Sequence, residues 1–205
     1  MIYSDYQKNK EIFSELFLMS VQNKMNMNSF TSNLERSKFV NFIENDAYNE
    51  ETNKSVNDIF FEMTGFKVNK EKYYGIYNDA YWCGFVYFDL FFKTQKPFSY
   101  IFLKLPFSKL IDLYKVYHEM DFSSLLDLFK KYEKENTILR LLCKKNKISL
   151  TKLSELSDIP KATLSLYNSS DDALYKASFQ NIVSIAKVFD APLNLFIKHI
   201  NINVE

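Results

Sequence analysis

One stretch constrains the fold of this chain more than any other, and it comprises residues 149–167, SLTKLSELSDIPKATLSLY. Ser149 is a favourable N-cap, because its side-chain oxygen can accept a hydrogen bond from the backbone of the following turn. Proline pushes the preceding residue, Ile159, out of the helical region, and Pro160 itself suits the first position of a new helix. The stretch therefore predicts two short helices joined by a tight turn.

The helical period divides the side chains of these two helices between an inner and an outer face. The side chains expected to pack inside are Leu153, Leu156, Leu164 and Tyr167. The side chains expected to point outward are Lys161, Ala162, Ser165 and Leu166. Two amphipathic helices with this division have the geometry of a helix-turn-helix.

The pattern continues on both sides, from about residue 138 to about residue 200. The segment DIPKATL, followed about 20 residues later by SIAKVFDAPLNLFI, resembles the lambda-repressor-like (XRE) family of helix-turn-helix domains. The resemblance implies five helices that place one recognition helix in the DNA major groove. In order along the five helices, the matching apolar positions are Leu139 and Leu142; Leu153 and Leu156; Leu164 and Tyr167; Ile182, Ile185, Ala186 and Phe189; and Leu193, Phe196 and Ile197.

The resemblance also implies which side chains contact double-stranded DNA. Lys161 can donate to guanine or to a phosphate, and Ala162 can touch a thymine methyl group. Leu166 is apolar, so it either packs on a thymine methyl group or marks a contact with a protein. The complete expected DNA-binding set is Lys161, Ala162, Thr163, Ser165, Leu166, Thr151 and Lys152.

Some positions depart from the family pattern in ways that bear on DNA binding. Leu150 stands where the family often has a polar residue that contacts phosphate. Asp171 and Asp172 follow the recognition helix where the family often has basic residues, and carboxylates repel phosphate. Residues 136–200 contain 9 Lys or Arg and 5 Asp or Glu, so their net charge is 9 − 5 = +4, against 26 − 25 = +1 for the whole chain. The expected basic surface is therefore modest.

Family members commonly join helix one to the end of helix three by an Arg–Glu ion pair, and the matching positions here are Cys143 and Asn168. Removing one partner of a buried pair costs about 3–5 kcal/mol, whereas replacing both can be nearly neutral. The joint change predicts a repacked domain that still folds.

Residues 133–205 contain no glycine, so other residues must supply the left-handed backbone at the turns. Those expected to do so are Asn146 or Lys147, Asp158, and Asn168 or Ser170.

The low content of glycine (3) and proline (4) in 205 residues favours helices over a chain of many tight turns. The sequence predicts an all-α protein with an N-terminal helical domain at residues 1–132 and a five-helix helix-turn-helix domain at residues 133–205. Residues 78–94, NDAYWCGFVYFDLFFKT, could form two buried strands, but 17 residues without a turn signal favour one helix surrounded by protein. The other expected helices of this part lie at 4–24, 29–44, 56–64, 99–104, 107–118 and from 121 onward, with a helical connector at 130–136. Ser29 is expected to cap the start of the helix at 29–44, and Gly65 is expected to cap the end of the helix at 56–64.

The N-terminal part carries a second resemblance. The order of three pieces, DAYWCGFVYFDLFFKT, a proline and LYKVYHEMDFSSLLDL, resembles a helical module that accompanies XRE-like domains in bacterial proteins, some of them in toxin–antitoxin or mobile-element loci. The residues that carry it are Tyr81, Trp82, Gly84, Tyr87, Tyr117 and His118. The resemblance implies that this domain serves dimerisation or binds a partner such as a cognate toxin.

Other features of the sequence argue against several classes of protein. Cys83 and Cys143 are too few for a disulfide framework and too isolated for a zinc site, so both are expected to be buried free thiols in a reducing cytoplasm. The longest apolar run, residues 80–92, contains Asp89 and is too short to span a bilayer. His118 and its acidic neighbours form the one cluster that could attract a metal or act as a base, and the end of a helix explains them. We therefore expect no enzyme activity, no cofactor and no metal.

Two functional hypotheses follow from the sequence. The leading one is a cytoplasmic, sequence-specific transcriptional regulator, antitoxin-like, that binds double-stranded DNA as a homodimer. Its N-terminal domain would supply dimerisation or bind a protein such as a cognate toxin. The alternative is a protein-interaction module or inhibitor whose helix-turn-helix no longer reads DNA and instead docks a protein through Leu150 and Leu166. Neither hypothesis involves a membrane.

Overall fold

A computed structural model describes residues 3–45, 54–67 and 78–198 of the chain. These residues form helices and no strand, which confirms the all-α prediction, and none of their helices is long and apolar enough to cross a membrane. In chain order the helices are α1 (Tyr3–Gln22), α2 (Met27–Glu35), α3 (Lys38–Asn45), α4 (Val56–Thr64), α5 (Asn78–Thr94), α6 (Phe98–Lys104), α7 (Phe107–Tyr117), α8 (Phe122–Glu135), α9 (Ile138–Asn146), α10 (Leu150–Ser157), α11 (Lys161–Ser169), α12 (Asp171–Tyr175), α13 (Phe179–Phe189) and a final 3-10 helix (Leu193–Phe196).

The chain divides into two compact units. The first comprises Met1–Phe98 and Pro106–Asp121, and the second comprises Ser99–Leu105 and Phe122–Glu205. Helix α6 therefore belongs to the second unit, apart from its first residue, although α5 and α7 on either side of it belong to the first. The domain boundary expected between residues 132 and 133 falls inside helix α8.

Helix α5 is the centre of the first unit, and the alternative of two strands is wrong. It packs along α1 and also contacts α7. The closest approach to α1 is at Gly84, where an added Cβ atom would lie 2.5 Å from the Cα atom of Ser14 and 2.9 Å from the carbonyl oxygen of Phe13. Glycine at this position lets the two helices meet backbone to backbone.

The high aromatic content of the chain serves the core of this unit. Phe98 is fully buried, and its ring stacks on Phe13 and on Phe91 at centroid distances of 4.5 and 4.6 Å. Phe17 meets the edge of Phe30 at 5.2 Å. Offset and edge-to-face pairs of this kind add about 0.5–1.5 kcal/mol each beyond the burial of their surface.

The single carboxylate inside the apolar sequence of α5 has its own partners. Asp89 accepts a hydrogen bond from the hydroxyl of Tyr6 and lies 2.8 Å from the ammonium group of Lys10. Lys10 also lies 3.9 Å from the ring centroid of Phe85, where the face of the ring attracts a cation. An acidic residue is tolerated in this buried helix because α1 supplies these compensating groups.

Two of the helices predicted in this unit differ in outcome. The helix predicted at 56–64 is confirmed with its C-cap, since Gly65 has a φ of 74°. The single helix predicted at 29–44 is wrong, because α2 ends before Arg36 and α3 starts at Lys38. Asn26, rather than Ser29, caps α2, and the hydroxyl of Ser37 accepts from the amide of Val40 to start α3. Polar side chains that bond to nearby backbone favour such helix starts.

The second unit has a mainly aliphatic core. Its fully buried or nearly buried side chains include Leu125 and Phe129 from α8, Ile138 and Leu139 from α9, Leu153 from α10, Leu164 from α11, Leu174 from α12, Ile185 from α13, and Leu195 and Phe196 from the 3-10 helix.

Gly84→Ala is expected to destabilise the first unit, although alanine normally favours a helix by about 1 kcal/mol over glycine. The new methyl group would overlap the backbone of α1, and overpacking of this kind costs about 1–3 kcal/mol. Because the overlap is with backbone atoms and not with a flexible side chain, we expect the upper part of this range, about 2–3 kcal/mol. After the helix gain of about 1 kcal/mol, the net loss in the free energy of unfolding is about 1–2 kcal/mol, measured by urea denaturation of the full chain. As a control, Asp112→Ala at an exposed position of α7 should change stability by less than about 0.5 kcal/mol. A Gly84→Ala protein as stable as the unchanged chain would contradict the close helix contact.

Candidate functional site

The two-helix motif, defined as α10, the turn at residues 158–160 and α11, forms from local chemistry. The hydroxyl of Ser149 accepts a hydrogen bond from the amide of Lys152 at 3.1 Å, which confirms the predicted cap. Helix α11 begins at Lys161, so Pro160 is its N-cap and not, as predicted, its first helical residue. Ile159 is buried, and its carbonyl oxygen accepts from the hydroxyl of Ser154 at 2.6 Å. The turn is therefore held by the burial of Ile159 and by the hydrogen bond from Ser154.

Left-handed backbone occurs at three positions of the described part of the second unit. Lys147 and Asp158, with φ values of 55° and 56°, confirm two of the predicted turn positions. The prediction of Asn168 or Ser170 is wrong, since Asn168 lies inside α11 and Ser170 is extended with a φ of −154°. Asp190, with a φ of 48°, takes the third position at the end of α13. The signal for it was an aspartate directly after an apolar helix and two residues before a proline.

The inner face of the two-helix motif differs from the prediction at one residue. Leu153, Leu164 and Tyr167 are buried as expected, whereas Leu156 is 52% exposed. Ser157 takes the inner position of α10 instead, and its hydroxyl bonds to the carbonyl oxygen of Leu153. The spacing of four residues rather than three defines the buried side of this short helix.

The elements after α11 also differ in part from the five expected helices. A short helix, α12, follows directly, and α13 then buries Ile185, Ala186 and Phe189 as expected. The predicted last helix is a single 3-10 turn. Phe196 is buried as expected, whereas Leu193 and Ile197, which were also expected to pack, are exposed.

The residues predicted to contact DNA lie on α10 and α11 and are mostly accessible. The exposed ones are Thr151, Lys152, Lys161, Ala162, Ser165 and Leu166, and Thr163 is half-buried. Lys152 lies 3.0 Å from Glu155 of the same helix. Within the described part of the chain, Lys161 forms no ion pair. Leu166, in the middle of α11, is 59% exposed.

The two aspartates that follow α11 have different surroundings. One carboxylate oxygen of Asp171 accepts from the backbone amide of Ile138 at 2.6 Å, and the other lies 2.8 Å from the ammonium group of Lys104. Asp172 is exposed and lies 3.5 Å from Lys198. The negative charge of Asp171 is therefore bound internally, and the expected repulsion of phosphate by this residue is reduced.

Lys104 is a buried charged residue whose role in the second unit was not apparent from the sequence. Its side chain is completely buried, and besides Asp171 it donates to the carbonyl oxygens of Glu133 and Asn136. Its ammonium group also lies 5.3 Å from the ring centroid of Tyr100. The partners lie 29, 32 and 67 residues away in sequence, beyond the reach of local patterns. The one sequence signal was a lone lysine in the apolar run FSYIFLKL.

Two tyrosines interact with the acidic residues around this lysine. Burial raises the pKa of Tyr100, and the carboxylate of Glu133 adds to the effect. Burial also raises the pKa of Tyr175, with Asp171 as the largest further cause. Both phenols therefore stay protonated near neutral pH, and Lys104 supplies the positive charge among the neighbouring carboxylates.

The positions where the family resemblance implied an ion pair are joined differently. Cys143 is half-buried, and the carbonyl oxygen of Asn168 accepts from the hydroxyl of Thr137 at 2.9 Å. Thr137 is the N-cap of α9, so this bond links the start of α9 to the end of α11. The pair of Lys104 and Asp171 lies beside the same junction, because Asp171 caps Ile138.

The remaining candidate groups show ordinary packing. Cys83 is buried as predicted, and burial raises the pKa of its thiol, but Cys143 is only half-buried, which corrects the prediction for that residue. One ring nitrogen of His118 lies 2.7 Å from the carbonyl oxygen of Tyr114 and the other lies 3.5 Å from Glu119. Among the described residues, no group of three His, Cys, Asp or Glu side chains is arranged to hold a metal ion.

Comparison with protein-family models, with curated proteins and with solved structures gave no match. The interpretation of α10 and α11 therefore rests on their residues and on the geometry of the second unit.

Ser149→Ala should lower the stability of the second unit by about 1 kcal/mol, because the first turn of α10 loses the acceptor for an unpaired backbone amide. Ser149→Asp should restore most of this loss, since an aspartate is an equally good cap and its charge favours the start of a helix. Urea denaturation followed by far-UV circular dichroism measures both changes. Ser165→Ala, at an exposed position inside α11, is the matched control and should be neutral or slightly stabilising. Equal effects of Ser149→Ala and Ser165→Ala would rule out the cap.

Proposed function

We propose that this chain is a transcriptional regulator of the XRE type that binds double-stranded DNA through the outer face of α11. The observation that carries the proposal is the division of α11 into an anchored and an open side. Leu164 and Tyr167 are buried, while Lys161 and Ser165 on the other side are exposed. A short helix fixed in this way can enter a major groove.

The side chains on the open side have the chemistry that DNA requires. Lys161 can donate to a guanine edge or a phosphate, and the hydroxyl groups of Thr163 and Ser165 can donate to phosphate. Ala162 and Leu166 can each contact a thymine methyl group. Two further candidates for phosphate contacts, Thr151 and Lys152, are exposed in the first turn of α10.

The charge distribution of the second unit supports the proposal better than its sequence alone suggests. Asp171 is neutralised internally by Lys104, so it contributes less repulsion than a free carboxylate would. Lys144, Lys145 and Lys147 are exposed at the end of α9 and add positive charge on the surface of the same unit. Such clusters attract the phosphate backbone over distances of about one Debye length, 8–10 Å at ordinary ionic strength.

The wider role that we propose follows the same reasoning. A regulator with one recognition helix per chain usually binds two half-sites as a symmetric homodimer. The first unit would supply the dimer contact or bind a protein partner, such as a cognate toxin in an antitoxin-like system. We place this activity in the cytoplasm, where DNA is accessible.

A second candidate function is a protein-interaction module, and exposed apolar side chains favour it. Phe179, at the first position of α13, is 72% exposed, and Leu156 and Leu166 are also more than half exposed. Apolar side chains that together form one patch on a surface often mark a protein contact, and these three belong to the same unit. Leu150, which the sequence-based version of this hypothesis also included, is half-buried, so it offers a partner less apolar surface than Leu156 or Leu166 does.

DNA binding is tested with a duplex from the protein's own promoter, titrated at several salt concentrations. The full chain is expected to bind with an affinity that falls steeply as salt rises, because phosphate contacts release counterions. Lys161→Ala should weaken binding about tenfold and reduce the salt slope by about one. Lys115→Ala, which removes an exposed charge from α7 in the first unit, is the matched control and should bind like the unchanged chain. The absence of binding at low salt, even by dimeric protein, would exclude this function in favour of the interaction module.

A further inference from the structure

Helix α6 contributes a charged group to the interior of the second unit, far along the chain from the two-helix motif. The side chain of Lys104 is fully buried. An ammonium group in a protein interior is stable only where several acceptors replace its water. Each group that accepts a hydrogen bond from Lys104 therefore belongs to a part of the second unit that α6 helps to hold in place.

Two of these acceptors belong to the end of α8. The last turn of a helix leaves carbonyl oxygens without partners inside the helix, and a cation is favourable there. Lys104 donates to the carbonyl oxygen of Glu133 at 3.2 Å and also to that of Asn136, directly after the helix. The lysine thus closes the end of α8 immediately before α9 begins.

The third acceptor, Asp171, connects Lys104 to the start of α9 and lies close in sequence to the end of α11. Asp171 uses its second carboxylate oxygen to cap the amide of Ile138 in the first turn of α9. Asp171 is also the first residue of α12, two residues after α11 ends. The hydroxyl of Thr137 completes the junction by donating to Asn168 in the last turn of α11.

We propose that Lys104 is a positioning residue for α11, and that α6 sets the orientation of this helix through Asp171. The inference rests on the proposed function, because it assigns to α6 a part in DNA recognition although no residue of α6 is expected to touch DNA. The ammonium group fixes the carboxylate of Asp171, that carboxylate fixes the start of α9, and the start of α9 holds the end of α11.

Lys104→Met in the full chain is the principal test, since methionine keeps the apolar stem and removes the charge. Amide hydrogen exchange should become about tenfold faster at residues 137–142 and 166–174, because their local opening becomes easier. Exchange at residues 83–91 of α5, in the first unit, should not change. Lys134→Met, at an exposed position of α8, is the control and should leave the whole pattern unchanged. Asp171→Asn keeps the size of the side chain and should reproduce the same local pattern, so the test does not depend on one variant folding.

DNA affinity supplies the second readout, at a temperature where circular dichroism shows each variant fully helical. Lys104→Met should bind promoter DNA about tenfold more weakly, with the same slope of affinity against salt, since the number of phosphate contacts is unchanged. Asp171→Asn removes the carboxylate that Lys104→Met would leave free to repel phosphate, so it should show the same loss of affinity if α11 is displaced. Repulsion alone would leave the affinity of Asp171→Asn unchanged or raise it, and a merely structural role would leave the affinity of both folded variants as it was.

The outcomes separate this proposal from the proposed function. Faster exchange confined to residues 137–142 and 166–174, with weaker binding, supports the positioning role. An even increase over the second unit, an unchanged pattern, or an unchanged affinity of the folded variant would overturn it. If the unchanged chain bound no DNA, the proposed function would fail, and the exchange pattern alone would still show whether Lys104 holds α11.

Discussion

The second unit depends on one carboxylate that serves two helices at once. Asp171 accepts from the backbone of Ile138 and from the buried ammonium group of Lys104, so both of its oxygens are used inside the protein. Removing either partner would leave a charge or a polar group unpaired in a region of low dielectric constant. The free-energy cost of that unpaired group is larger than the net stabilisation that the intact pair provides. The arrangement of α9, α11 and α12 thus rests on a residue of α6, which is distant in sequence.

The two units solve a similar problem with similar chemistry. In each, a lysine with little exposed surface pairs with a carboxylate and lies near an aromatic ring: Lys10 with Asp89 in the first unit, and Lys104 with Asp171 in the second. Both pairs join helices that are far apart along the chain. Directional contacts of this kind specify how two helices pack, whereas apolar contacts alone constrain the packing less.

The sequence predicted what local chemistry determines, and it missed what distant contacts determine. Ser149 and Gly65 marked helix ends correctly, because capping depends on a few neighbouring residues. The helix predicted at 29–44 was interrupted because Ser37 competes for backbone hydrogen bonds, a choice that depends on packing as well as on pattern. Leu156 was assigned to the wrong face since one short helix contains too few turns to fix its orientation. The partners of Lys104 were invisible because only the folded chain brings them together. For the candidate site, the helical pattern of the sequence correctly predicted which side chains of α11 are exposed. It did not predict that Lys104 neutralises the charge of Asp171.

The function that we propose requires α11 to contact DNA with the face formed by Lys161, Ala162, Ser165 and Leu166, and requires α10 to assist at its first turn. The most direct measurement is a map of backbone amide chemical shifts in the full chain, recorded during titration with a promoter duplex at low salt. We expect the largest shifts at residues 151–152 and 161–166, and we expect them to disappear when salt is raised. Shifts confined to other helices, or no shifts at a saturating DNA concentration, would contradict it.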